Sequence, residues 1–226
     1  MKASKGKCSM PKGNDKWNAE FICAAPNLSV PRGGKAFTVF VAWLLIVATA
    51  FAAKPVTIQL KHNSEREQRT KAELERLLST YDLKKYTFTN KVIIEDGAYA
   101  HSFPEITLNT RFLDSDDELL SSYIHEQLHW YLRDHDVQQK RAIQTLRMYY
   151  PRVPVGDPEG ADTVYSTYGH LVDCYLEMQA DRKLIGPERT AAVIADKGHY
   201  TWIYKTIIDD EPSIAAVVHS EGLEIE

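Results

Sequence analysis

Residues 125–129 read His-Glu-Gln-Leu-His. On a helix, His125 and His129 stand one above the other on one face. Two imidazoles at that spacing fill two of the four tetrahedral positions of a Zn²⁺ ion. Glu126 is turned about 100° away, where its carboxylate reaches a metal-bound water as proton acceptor without becoming a ligand. Such a site needs a third protein ligand and an open fourth position. A helix expected over Thr167–Ile185 offers the candidates. Its His170, Asp173, Cys174, Glu177 and Asp181 fall at spacings of 3, 1, 3 and 4 along one stripe, while Arg182 and Lys183 lie off it. Solvated carboxylates usually pair with Lys or Arg; a His, a Cys and three carboxylates on one stripe are metal-binding chemistry.

His125-Glu126-x-x-His129 followed by a Glu on a later helix resembles the zincin metallopeptidases, specifically the gluzincin branch that includes thermolysin. The resemblance runs from about Ile106 to Gly186. It implies a zincin-like fold, a Zn²⁺ cofactor and cleavage of peptide or protein substrates. It makes Glu177 the third ligand. Asp181, in Glu177-Met178-Gln179-Ala180-Asp181, becomes the partner that orients the first histidine, since a ligating His usually donates its other N–H to a carboxylate. The 48 residues from His129 to Glu177 and the short chain depart from two-domain thermolysin and look more like a small single-domain bacterial zincin. The metzincin branch does not fit, because residues 130–135 lack its Gly and third His spacing.

Amide hydrolysis also needs a donor for the developing oxyanion. His170, His199, Tyr200 and Tyr204 are the candidates. His170 is preferred, seven residues before Glu177 on the same face, with a ligand role as the alternative; Tyr200 and Tyr204 read as core packing.

The elements that must position these groups follow from periodicity. Leu120, Ile124, Leu128 and Tyr131 make an apolar stripe along a helix that opens with Ser115-Asp116-Asp117-Glu118, read as a capping box. The face opposite that stripe is expected to be free and to carry the chemistry. Strands are expected at Val56–Leu60, Tyr86–Ile94 and Ile106–Asn109, the last an edge for an extended substrate. Further helices are expected at Glu65–Tyr81 and Val137–Tyr150. The segment Pro151–Tyr165, with three Pro and two Gly, reads as a long loop on the rim of the cleft. Gly186-Pro187 ends the second site helix. Strands first and helices after give an α+β protein: a small N-terminal sheet, then a helical half carrying the metal site.

The charge is divided. Residues 1–53 hold seven Lys/Arg and two Asp/Glu; residues 54–226 hold 20 and 29. So acidic a body is no partner for nucleic acid. Residues 36–53 are 18 consecutive uncharged residues behind a basic leader, ending in small residues at signal-cleavage spacing. That is the layout of a signal peptide, or of a signal-anchor helix holding the chain in the membrane if uncleaved. Residues 1–35 are then a cytoplasmic tail, or an untranslated stretch before a start near Val30. Residues 54–226 are then expected to form a single domain, by the resemblance a zincin-like metallohydrolase, periplasmic or extracellular. Cys174 is the one cysteine beyond residue 53, so no disulfide forms within that domain. The expected function is a zinc metallopeptidase acting outside the cytoplasm. The alternative is an exported or membrane-anchored zincin-fold protein that binds metal or peptide without catalysis.

Overall fold

A computed structural model describes residues 55–225. The basic leader and the expected export signal lie outside the described residues. Among those residues, no helix is long and apolar enough to cross a membrane.

Three strands, β1 (Thr57–Leu60), β2 (Lys91–Ile94) and β3 (Ile106–Leu108), form a parallel sheet in the order β1-β2-β3. Val92, Ile94, Ile106 and Leu108 are buried, as parallel strands require. Helix α1 (Glu65–Thr80) makes the crossover between β1 and β2. Its first turn holds a capping box: Ser64 Oγ accepts from the Glu67 N–H, and Glu67 Oε2 accepts from the N–H of Ser64 and of His62. Glu67 Oε1 accepts from the Asp96 N–H at 3.0 Å, which ties the helix start to the end of β2.

The second strand is shorter than the expected Tyr86–Ile94. Residues Lys84–Tyr86 form a 3₁₀ turn, and the backbone of 88–89 bonds to a side chain instead of a ladder. Gln127 Oε1 accepts from the N–H of Phe88 (2.7 Å) and of Thr89 (2.9 Å), and Gln127 Nε2 donates to Thr89 O (2.8 Å). A side chain has taken the hydrogen bonds that a longer strand would have used.

Six helices follow: α2 (Asp116–Asp134), α3 (Asp136–Tyr149), α4 (Val164–Ile185), α5 (Pro187–Asp196), α6 (Thr201–Asp209) and α7 (Glu211–Ser220). The protein is therefore mixed α/β, a small parallel sheet beside a larger helical part. Two expectations need correction. Ser115 makes no side-chain cap on α2; Asp116 and Asp117 in the first turn pair with Arg76 and Arg189 instead. Nor does α2 have a free face through the motif. Leu120, Ile124, Leu128 and Tyr131 are buried, but so are Ser121, Tyr123, Glu126 and Gln127. The reason is α4, which packs against α2, α3, α5, α6 and α7 and is buried on nearly every side. The polar stripe of α4 faces the interior, where unpaired charge is costly. Its carboxylates must find partners there.

Candidate metal centre

The site lies where α2 meets α4. The rings of His125 and His129 are 4.8 Å apart, centroid to centroid, and nearly perpendicular. His170, two turns into α4, lies 5.7 Å from His125 and 5.1 Å from His129. Asp173 follows one turn later, with Oδ2 3.0 Å from His125 Nδ1 and 3.5 Å from His129 Nε2. One donor atom from each of these four side chains lies within 4.8 Å of the others. They form a largely buried cluster able to bind a metal ion.

The electrostatics of the cluster are dominated by burial. The Asp173 side chain is 0% exposed, and neither carboxylate oxygen has a hydrogen-bond partner. Its approach to His125 Nδ1 is close but is not aligned with the N–H. Burial raises its carboxyl to about 7. Burial, reinforced by the charge of neighbouring His125, pushes His170 down to about 4 and His129 well below its ordinary value. His170 Nδ1 lies 2.8 Å from Ser166 O, which only accepts, so the proton is on Nδ1 and the lone pair of Nε2 remains for a metal. Against the effect of burial, Asp173, Cys174 and Glu177 raise His125 well above its ordinary value. The cluster is thus a desolvated carboxylate without an aligned donor, beside one imidazole that holds its proton and two that resist it, a donor set that a divalent cation could occupy.

Glu126, beside His125 on α2, is 5% exposed. Ser102 Oγ donates to its Oε2 at 2.5 Å, and Trp130 Nε1 donates to Ser102 O at 2.8 Å. Burial raises the Glu126 carboxyl, which suits it to accept and return a proton.

Glu177 has a different setting. Its Oε1 accepts from Ser121 Oγ (2.6 Å) and Lys197 Nζ (2.6 Å); its Oε2 accepts from Tyr204 Oη (2.7 Å) and His125 Nδ1 (2.9 Å). Although burial opposes it, Lys197 first and then His125 hold its carboxyl well below the usual range. Glu177 belongs to a second donor group, with His125 and Cys174, and not to the one that contains both motif histidines. Asp181 is buried a turn further on, its Oδ1 unpartnered and its carboxyl raised to about 7 by burial and then by Glu177. The hydrogen bond at His125 Nδ1 goes to Glu177, not to Asp181.

Of the other candidates, Tyr200 lies closest to the cluster. It has a left-handed backbone (φ 57°), and its ring is 4.4 Å from His170 and 6.2 Å from His125. Burial raises its phenol to about 12, so it remains a proton donor. His199 packs against Tyr200 at 4.9 Å, while Tyr204 is committed to Glu177. The long loop before α4 is pinned at both sides: Thr167 Oγ1 donates to Pro154 O, and the Thr201 N–H donates to Pro158 O. Gly160 is needed there, because a Cβ would sit 2.4 Å from Pro154 O. The expected substrate edge on β3 is already used at Thr107, which exchanges two backbone hydrogen bonds with His101.

Sequence reasoning did not select Ser102, Ser121 or Lys197, and it placed Asp173 outside the ligand set. The one local signal for Asp173 is its spacing of three from His170, which puts both on one helical face. No family model, no curated protein and no solved structure matches the chain.

Proposed function

We propose that the chain is a zinc-dependent hydrolase, a peptidase of the zincin kind, working outside the cytoplasm. The observation that carries this reading is the carboxylate of Asp173 on α4, without an aligned donor, among three imidazoles of which one, His125, is the neighbour of the buried Glu126 on α2. His125, His129, His170 and Asp173 would hold the metal. A bound Zn²⁺ supplies Lewis acidity and lowers the pKa of a coordinated water towards about 7. Glu126, with one oxygen held by Ser102, keeps the other for the proton of the attacking water and passes it to the leaving amine. His170, with its Nδ1 proton given to Ser166 O, serves as a ligand, and the oxyanion donor is Tyr200.

A second reading, metal binding without turnover, draws on the number of donors. Four protein ligands in a tetrahedron make a closed structural site, and water enters only with a fifth position. Zinc per chain, measured beside hydrolysis of a mixed peptide library, tests both. Stoichiometric zinc with cleavage abolished by Glu126→Gln supports the peptidase. Stoichiometric zinc without cleavage supports the second reading, and absence of zinc defeats both.

A further inference from the structure

Glu177 faces four donors from three other parts of the fold: Ser121 and His125 on α2, Lys197 at the end of α5, and Tyr204 on α6. An ionised carboxylate has about four acceptor positions, two on each oxygen, and here each oxygen has two donors. No lone pair is left for a metal. The group His125–Cys174–Glu177 also has a cation already, because the buried Lys197 ammonium sits 2.6 Å from Glu177 Oε1. Asp173, one turn earlier on α4, has the reverse condition: His125 Nδ1 lies 3.0 Å from its Oδ2, but neither oxygen has an aligned donor.

We propose that Glu177 is a positioning residue and not a metal ligand: with Lys197 as its fixed counter-charge, it holds His125 protonated on Nδ1, so that Nε2 is the nitrogen offered to the cluster. His170 is held the same way by Ser166 O, so two imidazoles from different helices present the same nitrogen. The role depends on the metal reading above. A carboxylate behind a ligating imidazole fixes its tautomer and raises its basicity, and losing such a partner costs about 10- to 100-fold in metal affinity.

The test compares wild type with Glu177→Gln, Asp173→Ala and the double variant Glu177→Gln/Lys197→Met. The double variant removes the buried charge pair together and so protects the fold if the single change strands Lys197. Zinc affinity is measured by chelator competition, and the ligand set by the visible spectrum of the cobalt(II)-substituted protein. The expected result is that Glu177→Gln, or the double variant where the single one does not fold, binds one metal per chain about 10- to 100-fold more weakly. Its cobalt spectrum keeps the wild-type form, and ¹⁵N spectra of the zinc-loaded wild type show His125 protonated on Nδ1. Asp173→Ala loses stoichiometric metal. A cobalt spectrum altered by the Glu177 change but not by Asp173→Ala overturns the assignment and makes Glu177 the ligand. So does a His125 bound through Nδ1. A wild type that takes up no metal defeats the metal reading itself, which is a different outcome.

Discussion

Asp173 and Glu177 are neighbours one turn apart on α4, of the same charge and both buried, yet their surroundings are opposite. Around Glu177 the protein has collected an ammonium, a phenol, a hydroxyl and an imidazole. Around Asp173 it supplies no aligned donor. The cost of burying a carboxylate is offset in one case by the fold itself. In the other, under the metal reading, a bound cation would offset it. Buried charge alone therefore does not mark a ligand. In the metal reading proposed above, it is unmet hydrogen-bonding capacity beside the motif histidines that does.

The largest test of this contrast is at Asp173, where Asp173→Ala is expected to abolish stoichiometric zinc, measured as metal per chain after dialysis. Glu126→Gln comes next. It should keep zinc and fold but lower turnover about 10²- to 10⁴-fold, because only the proton acceptor is lost; unchanged rates would remove Glu126 from the mechanism. Denaturant unfolding of the metal-free protein then separates the two carboxylates. Lys197→Met leaves the Glu177 charge uncompensated and should cost about 3–5 kcal/mol. Asp173→Asn removes a charge that has no aligned donor and only His125 Nδ1, 3.0 Å away, as counter-charge, and should cost less than Lys197→Met; an equal loss would show that His125 compensates Asp173 as fully as Lys197 compensates Glu177.

The smallest effect concerns a buried carboxylate far from the cluster, Glu67, which is satisfied by three backbone N–H groups. Those donors lower its carboxyl against the effect of burial. Since the folded value lies below the unfolded one of about 4.3, its stabilisation is present above that pH and disappears as pH falls through the folded value. Glu67→Gln should therefore flatten the dependence of stability on pH below about 4.5. Parallel profiles for variant and wild type would count against it.

How much of this was legible follows from the range of each interaction. The two site helices were readable, because stops and side-chain spacing are local, and His125 and His129 came with the first of them; the Ser115 cap was misread because Arg76 and Arg189, far off in the chain, take the acids of that first turn. The burial of α4 on nearly every side was not. Its all-round mixture of apolar and polar residues gives no preferred face, and its polar stripe reads equally well as solvated. The choice between Asp173 and Glu177 was also beyond the sequence, since both sit on that stripe. What separates them is the company of Ser121, Lys197 and Tyr204, brought in by packing from 56 residues before Glu177 and 20 and 27 after it. Strand β2 was overextended for a similar reason. Nothing near Phe88 announces that a glutamine 39 residues away will take its N–H.

That glutamine constrains the motif in a way that its chemistry does not demand. Metal binding and proton transfer leave the position after Glu126 unspecified. Here Gln127 accepts two backbone N–H groups and returns one donor to Thr89 O. Glutamate would match the two acceptances and lose the donation; methionine would match the volume and strand three backbone groups. Few side chains can carry both functions at that reach. A library randomised across residues 125–129 and selected only for folding would thus be narrow at position 127, and its information content there would come from the sheet and not from the metal.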